Sequence, residues 1–276
     1  MHFGVDVCIL GEYADPARVV EIARAAEAAG WEAVFVWEHL AFAWGTPSAD
    51  PWVVLAAAAQ ATSRVRLGTA VTPLPRRRPA VLAHTVATLD RLSGGRVILG
   101  AGLGGVPVEF TAFGESDDLH RRAEQLDEAL DVLAALRSGR PVAHEGSHYR
   151  IDAVTLAPLP VQRPRPPIWI GGGSRAARRR AARWDGWIIG GDDEHGEMVM
   201  PPDEIVAGIA DIRQNRGGRG LDVAMTGVST GPHDPVCGRY AEAGVTWWLE
   251  HIHGQRDSFS QLLARVKAGP PEPRCR

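Results

Sequence analysis

The strongest constraint on the fold is an alternation. Segments of strand length, short and apolar, are followed by helical segments eight times along the chain. Residues 3–9, 33–37, 65–71, 96–102, 168–170, 186–189, 222–228 and 245–249 read as strands. Between them the helix signals are specific. Asp15-Pro16, Asp50-Pro51 and Asp234-Pro235 each place a capping carboxylate before a proline at the first helical position. In the first helix Val19, Ile22, Ala23 and Ala26 make one apolar face, and Gly30 ends it. Further helices are expected over residues 80–92, 119–136, 203–213 and 258–267, and after a capping Ser174. Strict alternation of this kind builds a parallel sheet, and eight units close it into a (β/α)8 barrel of the α/β class. Residues 140–167 break the rhythm between the fourth and fifth strands. They are rich in proline, with a hairpin expected around Glu145-Gly146, and read as a covering loop or lid. The expected organisation is one barrel domain over residues 1–268 and a disordered tail over 269–276, which holds three prolines.

Composition excludes several functions. With 30 basic and 33 acidic residues the net charge is −3, unlike the strongly basic footprint of a nucleic-acid binder. No apolar run approaches the 18 or more residues of a membrane span. Met1-His2-Phe3-Gly4 has neither the basic start nor the apolar stretch of a signal peptide. Cys8, Cys237 and Cys275 are odd in number and lack metal-ligand spacing, so free thiols in a reducing cytoplasm are expected. All the basic residues but Lys267 are arginine, a bias expected of a GC-rich genome. Nine tryptophans are mostly structural bulk; of adjacent Trp247 and Trp248 only one can face the barrel interior.

Barrel active sites sit at the C-terminal ends of the strands. The second strand ends in Trp37-Glu38-His39, followed by Phe42 and Trp44; the eighth ends in Glu250-His251. His39 and His251 are candidate proton donors or acceptors, because imidazole titrates near neutrality. Trp37, Phe42, Trp44 and Glu250 are candidates for the substrate pocket, and Glu109, after the fourth strand, for catalysis. Three glycine runs follow strands: Gly102-Leu103-Gly104-Gly105, Gly171-Gly172-Gly173-Ser174 and Gly190-Gly191. Without Cβ atoms, amide groups approach an anion closely, and the second run enters a helix N-terminus, which favours phosphate. A phosphorylated cofactor is therefore expected. The match Gly100-Ala101-Gly102-Leu103-Gly104-Gly105 to a dinucleotide fingerprint is rejected, because Pro107 interrupts it and no acid ends a following strand. Arg76, Arg77 and Arg78 could attract an anionic cofactor tail. The arginines of the helix after Ser174 read as a solvated outer face, and only Arg175, in its first turn, is placed to reach a phosphate.

The run from Ala87-Thr88-Leu89-Asp90-Arg91-Leu92-Ser93-Gly94-Gly95 to Arg96-Val97-Ile98-Leu99-Gly100-Ala101-Gly102 resembles the most recognisable stretch of the bacterial luciferase-like monooxygenase superfamily. Glu109-Phe110, Phe113-Gly114, Pro166-Pro167-Ile168-Trp169-Ile170-Gly171-Gly172-Gly173-Ser174 and Ala181-Ala182-Arg183-Trp184-Asp185-Gly186-Trp187 resemble further stretches of it. The resemblance implies a (β/α)8 barrel that binds coenzyme F420 or reduced FMN. Gly171, Gly172, Gly173 and Ser174 would hold phosphate. Gly102, Leu103, Gly104 and Gly105 would line the cofactor, Gly68, Thr69 and Ala70 would back its ring, and Gly190 would lie beside it. In F420-dependent members the third strand often carries a non-proline cis peptide, and His39 matches an active-site histidine. The leading expectation is an F420-dependent oxidoreductase acting on a small organic substrate. The alternative is an FMN-dependent monooxygenase supplied by a flavin reductase, and the alternative of another class is a flavin-free binding or scaffold barrel. Many members are dimers, so a homodimer is also expected.

Overall fold

The computed structural model describes residues 1–271. Eight parallel strands close into a barrel: β1 (His2–Val7), β2 (Ala33–Val36), β3 (Arg66–Thr69), β5 (Val97–Gly102), β8 (Ile168–Gly171), β9 (Gly186–Gly190), β10 (Asp222–Gly227) and β11 (Trp247–Ile252). β3 pairs with both β2 and β5, which closes the ring. A two-residue strand, β4 (Thr72–Pro73), adds to β5 at the mouth. The strand expected over 65–71 thus stops at Thr69, the Ala70–Val71 peptide is cis, and pairing resumes at Thr72. The insertion holds the expected hairpin, β6 (Val142–Glu145) with β7 (Arg150–Val154).

The helices start where the capping chemistry placed them. α1 (Pro16–Ala28) and α2 (Pro51–Ala61) are capped by Asp15 and Asp50. α5 (Leu119–Leu136) is capped by Asp118 and α6 (Arg175–Ala181) by Ser174. α8 (Val236–Glu242) begins one residue later than expected, although Asp234 still accepts from Val236 N. α3 (Pro79–Leu92), α4 (Val108–Thr111), α7 (Pro202–Gln214) and α9 (Phe259–Lys267) complete the ring. The arginines of α6 do more than face solvent. Arg178 pairs with Asp211 on α7 at 2.8 Å, and Arg180 pairs with Asp127 on α5 at 2.6 and 2.8 Å.

Side-chain parity decides what fills the barrel. Ala33, Phe35, Ile98, Trp169, Ile188, Ala224, Trp247 and Leu249 pack together inside, while their strand neighbours pack outward against the helices. Phe35 stacks on Trp169 with centroids 5.3 Å apart, and Trp169 lies 5.6 Å from Trp247. These rings need small residues opposite. A Cβ on Gly68 would stand 2.4 Å from the Phe35 ring, and one on Gly186 would stand 2.3 Å from Trp169. Trp248 is the outward member of its pair, donating to Glu250. Cys8 and Cys237 are buried free thiols, and burial pushes the Cys8 thiol up to about 12. Cys275 lies outside the described residues. So do residues 272–276 of the expected tail; before them, Gly269 donates its N–H to Val266 O and is buried.

One carboxylate ties α1 to the turn entering β3. Glu27 accepts from Ser63 N, Arg64 N and Val65 N at 2.6–3.0 Å. Partial burial opposes its charge, but those three amides prevail and bring its pKa down to about 2. The folded value lies below the unfolded one near pH 4.3, so this stabilisation is complete above that pH and vanishes as pH falls toward about 2. Glu27→Gln is therefore expected to cost about 1–2 kcal/mol at pH 7 and nothing near pH 2. Urea denaturation of both proteins across that range checks it; a pH-independent difference would contradict the account.

Candidate active site

At the C-terminal ends of the strands a buried carboxylate organises the mouth. Glu109, on α4, is fully buried. One of its oxygens accepts from His39 Nδ1 at 2.8 Å, and the other is paired with Arg76. Arg76 also donates to Glu38 O at 3.3 Å and lies over the Phe110 ring. Burial alone would favour the neutral acid. The His39 and Arg76 contacts outweigh it and hold Glu109 below the usual carboxylate range. An ionised acceptor fixes His39 as the Nδ1–H donor and leaves Nε2 uncommitted to this pair.

Aromatic rings continue from His39. Trp44 stacks on it with centroids 5.8 Å apart, and Trp37 lies 5.6 Å away, tilted to the ring. Trp37 donates to Asp6 at 2.8 Å and stacks on His251 at 5.0 Å. His251 is paired with Asp192 at 2.7 Å and lies 4.4 Å, centroid to centroid, from His253. Asp6, on β1, is fully buried, and burial pushes it up to about 6 despite His251 and Trp37. At the rim Phe42 is 57% exposed, Trp44 44% and Phe113 48%, an apolar edge for a substrate to cross. Phe42 meets Phe113 edge-on at 5.8 Å.

The structure thus brings together His39, Glu109, His251, Trp37, Phe42 and Trp44. Glu250 does not join them. It has the opposite parity to His251 and points out of the barrel, bound to Ser229 N at 3.2 Å and paired with Arg256 at 2.8 Å and Arg265 at 3.5 Å. Several candidate cofactor residues are committed to packing. Gly68 makes room for Phe35 within the barrel, and Thr69 Oγ1 donates to Gly100 O at 3.0 Å. Ala70 and Val71 lie against the interior cluster. Gly102 and Gly171 seat Val71: a Cβ on either would come within 2.5 and 2.8 Å of its methyl groups. Gly172 N–H donates to Ile188 O at 3.1 Å, and Ser174 Oγ accepts from Ala177 N at 3.1 Å. Gly172, at φ +109°, is a residue that backbone conformation requires. Gly104 is likewise held, its carbonyl accepting from Arg122 at 3.1 Å. Gly105 and Gly173 border open space, Gly190 is exposed, and Leu103 is half-buried.

Arg76, Asp6, Asp192 and His253 complete the mouth. Arg76 stood out in the sequence only as part of a basic run. The spacing His251-Ile252-His253 is the signal that could have found His253, since residues two apart on a strand share a face. Beside the mouth a cleft of about 520 Å³ is lined by Arg76, Arg77, Arg78 and Arg121 together with His148 and Tyr149 of the insertion. A cavity of about 600 Å³ at the opposite, N-terminal end of the strands touches none of the candidate site residues.

A family model described as luciferase-like monooxygenase matches residues 3–236. The chain belongs to that family. An uncharacterized protein of Mycobacterium tuberculosis is 31% identical over 215 residues, covering 71% of this luciferase-like chain and 70% of the relative. Among solved structures, the monooxygenase RslO1 from Streptomyces bottropensis is 28% identical with a TM-score of 0.73, over 88% of this chain and 75% of that one. An F420-dependent secondary alcohol dehydrogenase in complex with an F420–acetone adduct shares the fold at a TM-score of 0.80 and 20% identity, over 96% and 97% of the two chains. Among the described residues no helix is long and apolar enough to cross a membrane.

The seat of Val71 yields a contrast between the end of β5 and the loop that follows it. Gly102→Ala is expected to cost about 1–3 kcal/mol, because the new methyl overlaps the Val71 side chain, itself packed against the interior cluster. Gly105→Ala, entering open space, is expected to change stability by no more than about 0.5 kcal/mol. Chemical denaturation of the two variants measures both, and equal losses would contradict this packing.

Proposed function

We propose that this luciferase-like protein is an F420-dependent oxidoreductase that interconverts a small alcohol and the corresponding carbonyl compound at the barrel mouth. The observation that carries the reading is the His39–Glu109 pair, 2.8 Å apart and anchored by Arg76, at the ends of the strands. A histidine with one nitrogen fixed by a buried carboxylate is a proton carrier of defined orientation. Gly105 and Gly173 border open space, which would let a cofactor approach the backbone there. Gly173 and Arg175 would hold its phosphate, Leu103 and Gly105 would lie along it, and the cleft lined by Arg76, Arg77, Arg78 and Arg121 would take an anionic tail.

When bound, F420 supplies or accepts a hydride at the substrate carbon. The remaining chemistry belongs to the chain. His39 Nε2 takes the hydroxyl proton from the alcohol, or returns it to the carbonyl oxygen in the reverse direction. Glu109 keeps the imidazole in the competent tautomer and stabilises its cation. Trp44, Trp37 and Phe42 exclude water and align the substrate, and alignment removes much of the entropic barrier.

A second reading, a monooxygenase using reduced FMN from a partner reductase, is favoured by the 28% identity with the monooxygenase RslO1. Titration of the purified protein with each cofactor separates the two. Saturable F420 binding without FMN binding is the expected result. FMN binding alone would sink the proposal, and binding of neither would favour a flavin-free scaffold. With F420 bound, His39→Ala is expected to lower kcat by about 10²–10⁴-fold while leaving cofactor affinity nearly unchanged. The reverse pattern would make His39 a binding residue.

A further inference from the structure

Beyond His39 and Glu109, the mouth holds a second cluster to which the proposed reaction gives no role. It is built from the ends of two strands. His251 is the inward residue near the end of β11, and His253 follows two positions later, so the two rings share a face with centroids 4.4 Å apart. Asp192 stands just beyond β9 and bonds His251 Nδ1 at 2.7 Å. Thr226 Oγ1 orients the other Asp192 oxygen at 3.1 Å. One donor atom from each of the three side chains lies within 4.8 Å of the other two.

All three groups are buried: His251 is 6% exposed, His253 4%, and the Asp192 side chain 1%. The Nε2 atoms of both histidines have no protein hydrogen-bond partner, nor has Oδ1 of the adjacent Asp6. A buried polar atom left unsatisfied is costly. His253 Nε2 calls for a partner that accepts its lone pair, and His251 would meet the same partner through Nδ1, the nitrogen that already stands 2.7 Å from Asp192.

We propose that Asp192, His251 and His253 form a binding site for one divalent transition-metal ion of the zinc class. Two imidazoles and one carboxylate are a donor set that such ions favour over the harder magnesium and calcium. Three protein ligands leave a tetrahedral ion one further position, for water or a substrate oxygen. Thr226 would hold the coordinating carboxylate in place. The turn at residues 193–197, which follows Asp192 directly, bears exposed Glu194 and His195. The assignment is independent of which flavin the barrel takes.

The test begins with protein stripped by a chelator and returned to metal-free buffer. Calorimetric titration with Zn²⁺ is expected to give one equivalent of saturable binding, and Co²⁺ is expected to develop visible ligand-field bands that Zn²⁺ abolishes. His253→Gln and Asp192→Asn should each weaken binding roughly a hundredfold or more, whereas His195→Ala, on the exposed turn, should leave it unchanged. X-ray absorption of the Co²⁺-loaded unmodified protein should show histidine nitrogens around the ion, which keeps the test intact if a variant fails to fold. Absence of saturable binding would leave a buried His251–Asp192 ion pair and overturn the proposal. Binding that survives both substitutions, or that is lost with His195, would be surface chelation and would overturn it equally.

Discussion

A closed barrel of eight strands gives each strand residue one of two places, inside with the other strands or outside under the helices. Nearly every feature of this molecule follows from that choice. Phe35, Trp169 and Trp247 fill the interior because they share inward parity, and Gly68 and Gly186 are glycines because those rings occupy the space. Nearer the mouth, Val71 occupies the space that Gly102 and Gly171 leave open, and the Thr69 carbonyl the space at Gly100. Asp6, Trp37 and His251 then cap the apolar filling with polar groups that meet one another directly.

Above that layer the cost of burying charge decides which groups meet. Glu109 is fully enclosed, and an isolated carboxylate in such a place would take up a proton. It stays ionised because His39 and Arg76 each occupy one of its oxygens. Removing Arg76 would leave that charge uncompensated, an outcome generally costlier than the pair's own net value, and removing His39 would leave one buried carboxylate oxygen without its donor. The same enclosure makes His39 useful, since its ring is held by a group that cannot turn to solvent. Structure and chemistry therefore share one contact.

The architecture was legible from the sequence because it depends on local signals. The Asp-Pro helix starts, the apolar strands and the break at residue 140 each report a backbone preference that the barrel preserves. His39 and Glu109 were legible as mouth residues from their positions after strands. What sequence could not carry was the competition for individual atoms. The glycine run at 171–174 suggested free amides, but Gly172 N–H is spent on Ile188, Ser174 caps its own helix and Gly171 makes way for Val71. Glu250 sat beside His251 in a promising dipeptide, yet one step along a strand reverses the face and sends it to Arg256 and Arg265. The role of Asp192 has no local signature, because it lies in a contact between the ends of β9 and β11, far apart in the chain.

The central claim is that Glu109 fixes the proton of His39 on Nδ1 and leaves Nε2 for substrate. Nitrogen-15 NMR of the histidine side chains, with the His39 signals assigned by their loss in His39→Asn, reads the tautomer directly. The account predicts that neutral His39 carries its proton on Nδ1 in the unmodified protein, and that this preference weakens in Glu109→Gln. A neutral His39 protonated on Nε2, with a bare Nδ1 facing Glu109, would contradict it.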